Sequence, residues 1–250
     1  MAIYIGAMIF FRYELLSVST TPSNITKQKP KKDIKSTATT QAHQKNKETA
    51  APAFNKFKYS TTDASSIWVI ANKQHQLSPA DYTPGDLVTI SGATISNQAA
   101  TDFKAMLAAA GGESVTLTAI SGYRSYGTQN TLYDNYVANN GQTAADTFSA
   151  RPGYSEHQTG LAIDFGNNND PSCNFDDCYA NMPDGKWLAA HAYEYGFILR
   201  YTNENQQITG YKNEPWHYRY VGRELSAEMK KQAINTLEEF FGVAGGVIYK

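Results

Sequence analysis

Two short stretches hold residues whose types and spacing suit chemistry. In SEHQTGLAIDF, residues 155–165, His157 is followed seven positions later by Asp164. In NEPWHYRYVG, residues 213–222, Glu214 precedes His217 by three. The run Leu161–Phe165 reads as a strand, and a carboxylate in its middle costs several kcal/mol unless something pairs with it. Pleating puts Leu161, Ile163 and Phe165 on one face and Ala162 and Asp164 on the other. Gly160 permits a turn that brings His157 back beside Asp164. His157, Asp164 and His217 then make a set of two histidines and a carboxylate. Three protein ligands with one open position are what a catalytic zinc requires; a structural zinc takes four, usually with thiolates. Taken singly, H-x₆-D and E-x-x-H also arise by chance, and a surface carboxylate near a strand histidine reads the same way. Among the other histidines, His191 falls on an expected helix, where an ordinary partly buried residue is the simpler reading.

The elements that must position these groups are mixed in type. Residues 96–110 carry Phe103, Met106, Leu107 and Ala110 at helical spacing and end at Gly111-Gly112. SVTLTAIS alternates as a strand and leads to Gly122-Tyr123-Arg124; Thr128 to about Asn139 suits a helix. A further helix is expected from Asp184 as N-cap to a stop at Gly196. GFILRY and PWHYRYVG are rich in aromatic and β-branched residues and read as strands. Ser226 is expected to cap one last helix, with Met229, Ala233, Leu237 and Phe240 or Phe241 facing inward. Without regular βαβ alternation, this is an α+β domain.

Bulk composition narrows the class. The 250 residues are 41% hydrophobic and 12% aromatic, enough for a real core. The net charge of −1 hides an asymmetry: residues 27–48 carry seven lysines against Asp33 and Glu48, ahead of an acidic remainder. An acidic body argues against nucleic acid as a partner. MAIYIGAMIFF is about half the roughly 20 residues that span a bilayer. Residues 1–18 therefore read as a signal peptide, an anchor remnant or a frayed terminus. Residues 19–64 are rich in Lys, Thr, Ser and Gln and read as a flexible linker ahead of a domain at 65–250. Such a basic stalk would be drawn to a membrane or an anionic wall polymer, or would merely solubilise. Cys173 and Cys178, five positions apart in a turn-rich loop, read most simply as a local disulfide worth roughly 2 kcal/mol in the loop-entropy model.

SGYRSYGTQNTLY, RPGYSEHQTGLAIDFG, WLAAHAYEYGFILRY and ITGYKNEPWHYRYVG closely resemble segments of the M15 zinc D-alanyl-D-alanine carboxypeptidases, the VanY-type and L,D-carboxypeptidase branch. WVIANKQHQLSPADYTPGDL is similar to the family's lead-in, and the likeness runs over roughly residues 65–240 in the family's order. The resemblance implies a single compact α+β domain of the Hedgehog/DD-peptidase kind, with a small antiparallel sheet and flanking helices, preceded by a disordered stalk. It implies one Zn²⁺ per chain on His157, Asp164 and His217, with Glu214 as catalytic base. Arg124 would hold the substrate's terminal carboxylate, and Ser155, Gln129, Tyr201 and Trp216 would contact substrate. The implied reaction is removal of D-alanine from peptidoglycan stem peptides, D,D or L,D, outside a bacterial cell or at its surface, with the protein secreted or anchored. A D,D-dipeptidase or wall endopeptidase of the same fold is the alternative, and a non-catalytic zinc-containing wall-binding module a further one. A serine enzyme for the same trimming would need S-x-x-K and K-T-G, and the chain has neither. His191 stands where the family commonly has Asn, Thr202 where it has Pro, and the Cys173–Cys178 loop looks like an insertion.

Overall fold

The structure is a computed structural model and describes residues 53–250. The expected leader, and the expected linker up to residue 52, lie outside the described residues. Backbone pairing begins with a hairpin: β1 (Leu87–Ile90) and β2 (Ala93–Ser96) run antiparallel around Ser91-Gly92. Both turn residues have positive φ, as tight two-residue hairpins need. Ser96 then caps α1 (Asn97–Gly112), its Oγ accepting from Gln98 N. Ala99, Phe103, Met106 and Ala110 share the buried face of α1, and the helix runs through Gly111-Gly112 before it ends at Glu113. β3 (Thr118–Ser121) uses only the second half of the alternating stretch. Ser125 caps α2 (Tyr126–Asn140), and α3 (Gln142–Ala145) follows directly.

A four-stranded antiparallel sheet, ordered β3-β4-β6-β5, is the platform. Its central strands are β4 (Ala162–Gly166) and β6 (His217–Tyr220); β5 (Phe197–Leu199) closes one edge. Ile163 and Phe165 of β4, with Tyr218 and Tyr220 of β6, join Phe103, Met106 and Phe197 in the main core. The opposite face carries Ala162 and Asp164 beside His217 and Arg219, with Asp164 paired to His217 in register. A one-residue slip of either strand would turn its polar groups into the core and its apolar ones out, so the pattern sets the pairing.

Between β4 and β6 lie α4 (Pro183–His191) and the short α5 (Gln206–Thr209). Asp184 is not the cap of α4. Pro183 takes the first helical position, where its missing N–H is no loss, and Asp184 accepts from Asn167 Nδ2 instead (2.9 Å). After His191 the chain tightens into a 3₁₀ turn, Ala192–Tyr195, which Gly196 ends. The last expected helix is two: α6 (Arg223–Gln232) and α7 (Leu237–Phe241). Ala233 turns left-handed, and Thr236 starts α7 afresh by accepting from Glu239 N. Ser226 sits inside α6 and donates to the Tyr193 carbonyl (2.6 Å). The folded body also begins before residue 65. Phe54 stacks on Trp68 (5.6 Å between ring centroids) and meets Phe240 edge-on, which ties residues 54 onward to a second cluster of Trp68, Ile70, Leu225 and Phe240. Tyr59, edge-on to Trp68, and Lys56, donating to the Phe240 carbonyl, add to the contact from a stretch whose composition reads as linker.

Candidate active site

The site grows from one strand pair and one turn. Register sets His217 of β6 opposite Asp164 of β4, where cross-strand side chains on one face touch. The His217 Nδ1 to Asp164 Oδ1 distance is 3.1 Å. His157 comes from the 3₁₀ turn Glu156–Thr159, and Gly160 ends that turn at φ 69°. A Cβ at Gly160 would lie 2.8 Å from Ser96 N, so both the backbone angle and the space exclude a side chain. The turn returns His157 Nε2 to 3.1 Å from Asp164 Oδ2. One donor atom from each of His157, Asp164 and His217 lies within 4.8 Å of the others, and all three residues are buried.

The hydrogen bonds behind these groups decide which atoms face inward. The Gly122 carbonyl accepts from His157 Nδ1 (2.7 Å), so Nε2 is left with its lone pair toward Asp164. Glu156 Oε2 accepts from His217 Nε2 (3.2 Å), so for this ring Nδ1 faces inward. Two imidazole nitrogens, their rings braced from behind, converge with a carboxylate, and this donor set suits a zinc ion. Burial opposes charge on His217, but hydrogen bonds to Asp164 and Glu156 outweigh it and raise the ring to about 9. A proton and a metal ion compete for the same nitrogen, as at any imidazole ligand. Asp164 is held well below the usual carboxylate range: burial opposes this, and the two histidines prevail.

Glu214 enters on the loop before β6, with its Oε2 3.8 Å from His217 Nδ1. Burial pushes its carboxyl up to about 8, with the His217 charge opposing and Asp164 adding. Arg124 stands on the other side. Its Nη1 donates to Gln129 Oε1 (2.9 Å), and its Nη2 donates to Ser121 Oγ (3.0 Å) and lies 3.5 Å from Asp164 Oδ2. Gln129 is 1% exposed and donates its amide to the Ala150 carbonyl, so it reaches the site through Arg124. Ser155, Tyr201 and Trp216 line the same cleft of about 790 Å³ as the three donors. Tyr201 lies against the His217 ring at 4.8 Å, and Trp216 meets Phe175 edge-on at 5.9 Å. Phe175 belongs to the loop closed by the Cys173–Cys178 disulfide, which forms one lip of the cleft. His191 is outside this group, tilted against Trp187 and paired with Glu194.

Sequence reasoning missed Glu156, Arg200 and Arg219, all fully buried beside the site. Glu156 Oε1 accepts from Arg200 Nε (2.8 Å) and Arg219 Nη1 (3.2 Å), and Arg200 in turn grips Glu238 through two bonds (2.9 and 2.7 Å). The signal was available: arginines inside GFILRY and HYRYVG pose the same question as Asp164 inside its strand. Glu238 shows what the network does for stability. Burial would raise its carboxyl, but Arg200 and Asn72 hold it below the ordinary value of 4.5. A depressed carboxylate contributes stability that is complete above the ordinary value and lost as pH falls through the folded one. Glu238→Gln is therefore expected to destabilise by about 3–5 kcal/mol at pH 7. The gap to the unaltered protein should narrow as urea unfolding is repeated from pH 7 down to pH 3; a gap that stays constant would contradict the pairing.

Two imidazoles and a carboxylate converging in a cleft of an α+β domain make a group that could hold a single cation, the arrangement used in metal-assisted hydrolysis. Residues 92–223 match the VanY family, D-alanyl-D-alanine carboxypeptidases, and the chain belongs to that family. YodJ of Bacillus subtilis (strain 168) is 40% identical over 186 residues, 70% of this chain and 67% of that protein. The LdcB LD-carboxypeptidase structure superposes with a TM-score of 0.66 at 39% identity, covering 72% of this chain and 88% of that one. A vancomycin resistance D,D-pentapeptidase, a VanY mutant in complex with Zn(II), gives 0.61 at 32%, covering 71% and 99%.

Proposed function

We propose that this protein is a zinc-dependent carboxypeptidase that removes the C-terminal D-alanine from peptidoglycan stem peptides. The convergence of His157, Asp164 and His217 within 4.8 Å, with Glu214 and Arg124 flanking them in one cleft, carries this reading. His157 Nε2, an Asp164 oxygen and His217 Nδ1 would hold the ion. When bound, zinc polarises the scissile carbonyl and lowers the pKa of a water to roughly 7. Glu214 accepts a proton from the attacking water on a carboxylate oxygen and returns it to the leaving amine nitrogen. A carboxyl lifted toward neutrality by burial suits a group that must both take and give a proton. Arg124 receives the free carboxylate of the chain end with a charge-assisted contact, which favours terminal over internal bonds. Gln129 and Ser121 hold that guanidinium in place. Ser155, Tyr201 and Trp216 border the cleft where the rest of the peptide would lie.

Both D,D- and L,D-cleaving proteins are among the similar structures, so pentapeptide and tetrapeptide stems are both candidate substrates. Action at the cell surface is supported by the disulfide, which persists in oxidising compartments. The lysines of residues 27–48 would draw the chain toward anionic wall polymer or membrane. Among the described residues no helix is long and apolar enough to cross a membrane. Mass spectrometry of both stem peptides after incubation is the direct test. Loss of one alanine is expected, abolished by a chelator and restored by zinc. Release that continues unchanged in chelator would overturn the zinc assignment.

A further inference from the structure

We propose that Glu156 is a positioning residue for the metal centre, holding the His217 ring in the one orientation that turns Nδ1 toward Asp164. This rests on the reading of His157, Asp164 and His217 as a zinc site. The two oxygens of Glu156 are divided between tasks. Oε1 takes Arg200 and Arg219, whereas Oε2 is left for His217 Nε2 at 3.2 Å. The side chain is completely buried, so water does not compete for that second oxygen.

The ring needs such a brace. Tyr201 lies tilted against His217 at 4.8 Å, but a ring held by such a contact alone keeps it after a half-turn about its own axis. That half-turn would put a carbon where Nδ1 faces Asp164, and a C–H where Nε2 meets Glu156. The hydrogen bond to Glu156 distinguishes the two orientations, as a carboxylate behind a ligating histidine generally does. Glu156 is in turn anchored at several points. Arg219 stands two residues from His217 on β6 and donates to the carbonyls of Ile67 and Val69. The Arg200 backbone N–H donates to the His217 carbonyl (3.2 Å), and its guanidinium is tied to Glu238 of α7. Glu156 also precedes His157, so one short turn supplies a donor and the brace for another.

The experiment compares the unaltered full chain with Glu156→Gln and Glu238→Gln, each below its own unfolding temperature. Zinc affinity is read by competition with a chromogenic chelator. Glu156→Gln should bind zinc about 10–100-fold more weakly. Glu238→Gln breaks the same buried network one step further out, and should lower the unfolding temperature yet keep zinc affinity within about threefold by the same reasoning. Unchanged affinity in Glu156→Gln, or equal loss in both variants, would overturn the positioning role. Should Glu156→Gln not fold, nitrogen NMR of the unaltered protein loaded with cadmium-113 decides. Coupling through Nδ1 of His217, with a proton retained on Nε2, is the expected result, and coupling through Nε2 overturns it. An unaltered protein that binds neither metal would instead sink the zinc site itself.

Discussion

Glu214→Ala is expected to bind zinc as tightly as the unaltered protein within a few-fold, and to lose hydrolysis by about 10²–10⁴-fold. The separation of the two effects follows from where the residue sits. Glu214 Oε2 is 3.8 Å from His217 Nδ1, outside the three converging donor atoms, so its removal leaves them in place. What goes is the carboxylate beside the donors that, among the described residues, accepts no hydrogen bond and meets only the His217 ring at 3.8 Å. Asp164 is held by both histidines, and Glu156 by His217 and two arginines. Burial has raised Glu214 to about 8 against the opposing charge of His217, a poise that suits proton shuttling. The measurement is D-alanine release at saturating zinc, with chelator competition run in parallel. Near-full activity would mean that the base is another group. Loss of zinc together with activity would make Glu214 a ligand.

Arg124→Ala should cut kcat/KM on stem peptides with a free carboxylate by about 10–150-fold, the equivalent of the 1.5–3 kcal/mol ascribed to a hydrogen bond to a charged group. Three of the five guanidinium N–H groups have partners in Gln129, Ser121 and Asp164, which leaves two for a ligand. Because Gln129 and Ser121 fix the plane in advance, little ordering remains to be done on binding. The same substitution should change turnover of a C-terminally amidated peptide much less, since that substrate has no carboxylate to lose. Equal losses on both would place Arg124 in a role toward the metal donors instead, through its 3.5 Å approach to Asp164.

How much of this was legible beforehand depended on the range of the interaction that decides each point. The His157, Asp164, Glu214 and His217 motifs stood in the sequence because period-two alternation and the turn at Gly160 are local. Helix α1 was readable nearly to its ends for the same reason. The N-terminus of α4 was misread because Asp184 is a good cap by type, yet Pro183 starts the helix and Asn167 takes the carboxylate. The break between α6 and α7 was hidden because apolar spacing continues through it. Only Ala233 in the left-handed region and the fresh cap at Thr236 divide the run. Phe54 joins the fold through rings far along the chain, and no local pattern announces that.

By itself, the sequence determined the residue types that can bind a cation, the faces they occupy on their strands and the family they resemble. Tertiary structure decided what those groups can do. Pairing β4 with β6 brought residues 53 positions apart to 3.1 Å, and two hydrogen bonds selected Nε2 of one histidine and Nδ1 of the other. It also decided the fate of Glu156, Arg200 and Arg219, because a buried charge is tolerable only beside its partners, and those partners come from separate turns and strands.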